Sequence, residues 1–235
     1  KMSTPYTPAN PEFLKFVERE VKLMFPSGWD CLEYESFKEG FSLPVSSSLS
    51  SSRKFGGARG AFLSGELGSE DRWRSLKCVD DDFSLHLDPV RPAVVWAGKW
   101  RLVTVPSIRR SVLAPLHQSI YSRLSRMRWL LRGEAEPRSF SDFTRRDGEV
   151  FVSGDYESAT DNLNLGVTTL ILSSILRGCL SVPDGIQRAA MDSLTALLVT
   201  EKGSYVQANG QLMGNLLSFP LLCIVNYLTF KWLVP

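Results

Sequence analysis

Residues 150–162, VFVSGDYESATDN, are the stretch from which the fold is predicted. The apolar run Val150 to Val152 has the composition of a short buried strand. Such a strand places Asp155 at its carboxyl end, and Asp161 follows after five intervening residues. A carboxylate at a strand end suits a hard divalent cation, because Mg²⁺ prefers oxygen ligands. Taken alone, this spacing is a weak signal, because two carboxylates six residues apart are usually solvated acids at a helix N-terminus.

A second motif, NGQLMGNLLSFP, occupies residues 209–220 and leads into a long apolar segment. Glycines at both ends of its Gln-Leu-Met segment permit the backbone to approach a ligand closely. The N-terminus of the following helix offers free N–H groups to phosphate or ribose oxygens. Ser218 and Asn226 are eight residues apart and share roughly one helical face. The alternative is an ordinary glycine-rich loop before a core helix.

Positive charge is concentrated in one part of the chain. Between Arg91 and Arg146 there are twelve Lys or Arg and three acids, a local charge of +9 in a chain of net charge +2. This asymmetry indicates a polyanion-binding element, with a solvated basic helix face as the alternative. Residues 94–105 predict a β-hairpin that turns near Ala97-Gly98. Four basic residues in or just after it are suited to neutralise a triphosphate: Lys99, Arg101, Arg109 and Arg110.

A serine-rich stretch, residues 46–52, predicts a loop, and the sequence SRKFGGARG follows it. Arg53 and Lys54 at its end belong either to a surface linker or to a loop that contacts a phosphate backbone. Apolar periodicity predicts helices elsewhere, over residues 12–25, 107–132, 163–180, 186–198 and 214–233.

Composition excludes several classes of protein. The four cysteines lie far apart without a CxxC pair, which argues against a zinc site and indicates reduced thiols. The polar N-terminal segment has no signal-peptide pattern. Residues 216–234 approach the length of a membrane span, but Ser218, Pro220, Asn226 and Lys231 interrupt them. A buried core helix is therefore the preferred interpretation, and no stable membrane insertion is expected.

In this order, the three motifs resemble those of the RNA-directed RNA polymerases of positive-strand RNA viruses, most closely the ourmia-like (botourmiavirus) and narnavirus group. GKWRLVTVPSIRR at residues 98–110 is similar to the basic fingers motif of that family. SGDYESATDN at 153–162 is similar to its first catalytic-aspartate motif, and GQLMGNLLSFP at 210–220 to its glycine-rich loop and helix. The resemblance covers about residues 90–230.

The resemblance implies a role for each matching residue. Asp155 is expected to bind Mg²⁺ or Mn²⁺, and Asp161 to recognise the ribose 2′-OH of the incoming nucleotide, with Asn215 or Asn226 as its partner. The implied NTP-binding residues are Lys99, Arg101, Arg109, Arg110, Asn215, Ser218 and Asn226. The implied contacts to template RNA are Gly210, Gln211 and Gly214, together with Arg53 and Lys54.

The fold class implied is α+β, a right-hand polymerase fragment with mostly helical fingers (residues 1–147) and an incomplete palm (148–235). The Gly-Asp-Asp hairpin of the family is missing, and Asp80 to Asp82 are interpreted as a solvated acidic turn. The chain is thus expected to be a truncated polymerase or half of a split one, whose second chain carries Gly-Asp-Asp. Alone, it is expected to be inactive, and marginally stable or aggregation-prone. Its expected partners are RNA template, RNA product and NTPs, in the host cytoplasm or, alternatively, the mitochondrion.

Three other functions compete with this one. A reverse transcriptase shares the palm, but Asp161 offers an acceptor to the 2′-OH that such an enzyme must exclude. A non-catalytic RNA-binding protein could use the basic segment and its tryptophans Trp96, Trp100 and Trp129. A membrane-anchored structural protein rests only on residues 216–234.

Overall fold

Helices make up most of the regular structure in this computed structural model, which describes residues 2–65, 83–96, 98–141, 144–154 and 156–234. The α-helices are α1 (Pro11–Met24), α2 (Tyr34–Gly40), α3 (Gly57–Leu63), α4 (Ala114–Leu124), α5 (Leu165–Leu176), α6 (Asp184–Asp192) and α7 (Ser218–Leu233). The 3₁₀ helices are Arg53–Phe55, Ile108–Leu113 and Pro137–Phe140. The strands are β1 (Pro89–Trp96), β2 (Trp100–Pro106), β3 (Leu197–Thr200) and β4 (Gly203–Val206).

The four strands form one sheet in the order β2-β1-β3-β4. Strands β1 and β2 pair antiparallel from Val90–Pro106 to Trp96–Trp100, which confirms the predicted hairpin. Strand β3 lies parallel to β1 and antiparallel to β4. The mixed α+β class is therefore confirmed. The β3–β4 hairpin was not predicted, and the helix expected over residues 186–198 ends at Asp192.

Helix α1 shows how local sequence sets an element. The side chain of Asn10 accepts a hydrogen bond from the backbone N–H of Glu12 at 2.8 Å, and Pro11 occupies the first turn. The buried residues Val17 and Val21 lie one turn apart, on the face toward the core. The helix stops at Met24, two residues before a proline, as predicted.

One hydrophobic core joins the helices. It contains Val21 of α1, Ile120 of α4, Ile171 of α5 and Ile224 of α7, all with almost no exposed surface. The sheet likewise combines β1 and β2 with β3 and β4. The regions predicted as fingers (1–147) and palm (148–235) therefore share one core and one sheet.

The long helix predicted over residues 107–132 is shorter in the structure. Its first part is the 3₁₀ helix Ile108–Leu113, and α4 begins next to Pro115, which lacks the N–H that a helix interior requires. The helix ends at Leu124, where the hydroxyl of Ser125 donates to the carbonyl of Tyr121 at 2.7 Å. The basic residues beyond it lie on turns.

The strand predicted at Val150 to Val152 is wrong. Residues 150–154 belong to no strand of the described part of the chain, and the three apolar side chains are exposed, Val152 by 88%. A strand requires a neighbour for its N–H and C=O groups, and none of the described strands pairs with this segment.

Within the described ranges, no helix combines the length and hydropathy needed to cross a membrane.

Candidate functional site

The loop of residues 209–215, the glycine loop, lies against the turn of residues 156–163, the aspartate turn. The N–H of Gly210 donates to the carbonyl of Leu163 at 3.0 Å, and the N–H of Gln211 donates to the carbonyl of Thr160 at 2.8 Å. Gly210 has φ +72°, and a Cβ atom there would lie 2.7 Å from the carbonyl oxygen of Asp161. The position therefore requires glycine, because a side chain would separate the loop from the turn.

The same loop contacts the basic hairpin on its other side. The carbonyl of Met213 accepts hydrogen bonds from the N–H of Thr104 at 2.7 Å and from its hydroxyl at 3.1 Å. Gly214 has φ +129°, and a Cβ atom there would overlap the carbonyl oxygen of Thr104. The glycine loop is thus hydrogen-bonded to both of the other motifs.

The two aspartates of the first motif differ in what the structure shows. Asp161 lies in the aspartate turn and is half-buried. Asp155 lies outside the described residues. Ser158, between them, has φ +52°, which is uncommon for a residue with a side chain. Such backbone conformations are concentrated at functional sites, where the surrounding structure maintains them.

The two candidate asparagines are placed differently. Asn215 donates from Nδ2 to the carbonyl of Ser193 at 3.0 Å. Asn226 is exposed, and its Oδ1 accepts a hydrogen bond from the hydroxyl of Tyr156 at 2.9 Å. A cavity of about 260 Å³ between the aspartate turn and α7 is lined by both Tyr156 and Asn226. Asn226 is therefore the asparagine that faces the aspartate turn, although neither forms a hydrogen bond with Asp161 in the described part.

Arg110, predicted to bind NTP, is buried instead, with 2% of its surface exposed. Its Nε donates to a carboxylate oxygen of Asp88 at 3.0 Å and its Nη1 donates to the carbonyl of Ser193 at 3.1 Å. The hydroxyl of Ser107 donates to the same carboxylate oxygen at 2.7 Å. Burial lowers the pKa of Arg110, and the charge of Asp88 opposes that shift. The guanidinium of Arg110 is therefore held by hydrogen bonds at the base of the hairpin.

The other basic residues that were predicted to bind NTP are of two kinds. Arg109 is half-exposed and partly bound, since its Nη2 donates to the carbonyl of Ser84 at 2.7 Å. Lys99 and Arg101 are exposed and form no ion pair with the described part of the chain. Their charges are available to a ligand.

Two predicted contact residues of the second motif face inward. The hydroxyl of Ser218 is buried and donates to the carbonyl of Leu212 at 2.8 Å, so it holds the glycine loop onto α7. Gln211 is fully buried, and its Nε2 donates to the hydroxyl of Thr168 at 3.3 Å. The structure places both side chains in the interior, and their contacts to nucleotide and template stay predictions.

The serine-rich loop packs against the hairpin. The N–H of Leu49 donates to the carbonyl of Pro106 at 3.0 Å, and a cavity of about 410 Å³ separates the loop from β1, β2 and Gly214. Helix α3 begins at Gly57, so the predicted mobile loop is partly helical. Arg53 and Lys54 are exposed on the 3₁₀ helix before it.

The described residues do not by themselves fit a divalent cation. Nowhere in the described ranges do three or more His, Cys, Asp or Glu side chains converge as metal ligands do. Asp161 alone does not provide the oxygen ligands that Mg²⁺ requires.

Comparison with known proteins adds no family: no protein-family model matches the chain, and no curated protein has a significant match to it.

Sequence reasoning missed the residues that join the motifs, chiefly Asp88, Thr104 and Tyr156. Thr104 and Tyr156 carry no signal beyond their place inside a motif. Asp88 does, since it is the last acid before the stretch 89–133, which contains no Asp or Glu at all. An acid immediately before so basic a stretch is a candidate for a buried ion pair.

Proposed function

We propose that this chain is part of a viral RNA-directed RNA polymerase that adds nucleotides to an RNA 3′-OH on an RNA template. One observation carries the proposal: the glycine loop is hydrogen-bonded to the aspartate turn on one side and to the basic hairpin on the other. Three motifs that are far apart in the sequence thus meet at one junction. Positioning of a primer end, a nucleotide and a template requires such a meeting point.

The roles of the polar residues follow from their exposure. Arg101 binds the phosphates of the incoming NTP, because its side chain is exposed and forms no ion pair with the described residues. Asp161 accepts a hydrogen bond from the ribose 2′-OH, and Asn226 supports the same sugar from across the cavity. Arg110 acts as a positioning residue that fixes the hairpin through Asp88.

Metal binding is the part of the proposal that rests on the resemblance alone. Asp155 is the proposed ligand of Mg²⁺ or Mn²⁺, and a second group of carboxylates has to come from a segment with Gly-Asp-Asp. Since the described residues do not form a cation site, we derive no step that passes through the metal. RNA template, RNA product and NTPs remain the proposed partners.

The decisive experiment reads the encoding RNA on both sides of the codons for residues 1–235. It then tests the complete product for template-directed primer extension. Asp155→Asn is expected to abolish extension, and Asp161→Ala to reduce the preference for NTP over dNTP. Asp147→Asn is the matched control, because Asp147 is exposed and lies outside the motifs. The chain of 235 residues alone is expected not to extend a primer.

Two results contradict the proposal. One is a complete product that extends primers equally well with Asp155→Asn. The other is the failure to find a second aspartate cluster, either in that product or in a companion chain. Tight RNA binding without extension in either case favours the non-catalytic RNA-binding protein, for which the exposed tryptophans of the hairpin are the supporting observation.

A further inference from the structure

The two faces of the β1–β2 hairpin differ sharply. Because side chains alternate along a strand, the register places Val94, Trp96, Trp100 and Leu102 on one face. All four are 64–71% exposed. The opposite face, which includes Val103 and Val105, lines the cavity beneath the serine-rich loop. The first face, which we call the tryptophan face, is therefore an uncovered apolar surface.

The end of this face carries a pair of indoles beside free positive charge. The rings of Trp96 and Trp100 lie 5.1 Å apart at an angle of 66°. Lys99, in the turn that precedes Trp100, is exposed, whereas the same alternation places Arg101 on the opposite face. No acid occurs in residues 89–133, so no negative charge from the hairpin itself competes for Lys99. An apolar protein partner would gain nothing from this charge, whereas a polyanion with flat apolar groups matches both features.

We propose that the tryptophan face binds single-stranded RNA, with unpaired bases stacked on Trp96 and Trp100 and a phosphate bound by Lys99. Stacking on aromatic side chains tolerates any base, so the contact is independent of sequence. A duplex does not bind there, because its bases are already stacked on each other. The inference deepens the proposed function: it rests on RNA as the partner and assigns the unpaired strand to a surface outside the aspartate turn.

The test measures the affinity of the whole chain for fluorescently labelled oligouridine by anisotropy. Trp96→Leu and Trp100→Leu keep an apolar side chain but remove the ring. Each is expected to weaken binding about tenfold, the effect of losing one stacked base. Tyr205→Leu is the matched control, because Tyr205 is an exposed aromatic residue of β4 in the same sheet, and it is expected to bind as the parent chain does. An oligomer of abasic ribose phosphate loses both stacking contacts and is therefore expected to bind about a hundredfold more weakly than oligouridine.

Salt dependence separates the stacking contact from the charge contact. Lys99→Gln is expected to reduce the slope of log affinity against log salt concentration by about 0.7, the value for one phosphate of a single strand. The two Trp variants are expected to leave that slope unchanged. This combination is not produced by general unfolding of the hairpin, which would alter both quantities together.

Three results overturn the inference. The Trp variants could bind oligouridine as tightly as the parent, or the abasic oligomer could equal oligouridine. The parent chain could also dimerise through this face, so that the Trp variants become monomeric and keep full RNA affinity. Asp155→Asn is expected to bind oligouridine normally. Failure of base stacking is therefore distinguishable from failure of the polymerase proposal, which is decided by primer extension.

Discussion

At position 214 a side chain would occupy the space that the backbone of β2 already fills. Gly214 and Gly203 have nearly the same φ, +129° and +128°, but only Gly214 approaches another segment, the carbonyl of Thr104. Gly214→Ala is therefore expected to lower the free energy of unfolding by about 2 kcal/mol more than Gly203→Ala, through overpacking added to equal backbone strain. Thermal or denaturant unfolding of both variants measures the difference. Equal losses would contradict the close packing of the glycine loop on the hairpin.

Two adjacent arginines offer a second comparison. Arg110→Ala leaves the buried carboxylate of Asp88 without its main partner, and it is expected to cost about 3–5 kcal/mol of stability. Arg109→Ala removes a half-exposed side chain at 3.5 Å from the same carboxylate and is expected to cost about 1 kcal/mol or less. Urea unfolding of both variants gives the two values. A smaller loss for Arg110→Ala than for Arg109→Ala would show that the buried pair is not formed.

The same pair of arginines shows which property of single residues the sequence did not predict. A basic motif indicates a charge near phosphates, and Lys99 and Arg101 are exposed as that role requires. Nothing in the motif distinguishes them from Arg110, whose burial depends on Asp88 and Ser193 from other parts of the chain. Burial is a property of the packed molecule, so it was not predictable from the motif.

Among the helices and strands, those whose sequence signals lie within or next to the element were predicted best. Capping by Asn10 and the proline after α1 fix that helix within the chain itself, and the β1–β2 hairpin likewise depends on neighbouring residues. Short strands are different, because pairing partners determine them. Strand β3 forms beside β1, which lies about a hundred residues earlier in the sequence, and periodicity alone assigned its first two residues, Leu197 and Leu198, to a helix. The segment 150–154 has strand composition, but it pairs with none of the described strands.

The exposed segment 150–152 leads to a prediction about solubility. Its three consecutive exposed apolar residues are expected to promote self-association of the chain. Val152→Lys is expected to raise the concentration at which aggregates appear without lowering the unfolding temperature. Leu23→Lys, at an exposed position (70%) on α1, is expected to have less effect, since Leu23 is a single exposed apolar residue between Lys22 and the buried Met24. Light scattering against protein concentration compares them. Equal behaviour of the two variants would exclude the segment as the cause.

At the scale of the whole molecule, stability depends on pH, and His117 and Glu20 are two of the described groups that contribute to this dependence. Burial lowers the pKa of His117 below its usual 6.5, opposed by a backbone hydrogen bond at Leu216, and its Nδ1 has no partner among the described residues. Burial raises the pKa of Glu20, but hydrogen bonds from Lys231 and Arg19 outweigh it and hold the pKa below 4.5. Both groups therefore contribute stability that is present above the unfolded pKa and lost as pH falls.

On acidification, the loss of stability that is due to His117 begins at a higher pH than the loss that is due to Glu20. Below pH 6.5 the free energy of unfolding is expected to fall by up to about 1.4 kcal/mol per pH unit, because the unfolded chain binds a proton that the folded one does not. His117→Gln is expected to remove this slope, whereas His86→Gln, at the other histidine of the sequence, leaves it in place. Denaturant unfolding between pH 7 and pH 5.5 checks both. A slope that survives His117→Gln would assign the acid sensitivity to another group.

The carbonyl of Ser193 accepts from both Arg110 and Asn215, and this sharing constrains how related sequences can diverge. The acceptor is a main-chain carbonyl, so it is present whatever side chain occupies position 193, and substitutions there do not remove it. The two donors belong to side chains, so a substitution at 110 or 215 removes them. Substitutions at 110 and 215 are therefore expected to appear together in homologues, while 193 varies among small residues. In a homologue in which only one of the two donors is substituted, we expect the register between the β1–β2 hairpin and the glycine loop to be shifted.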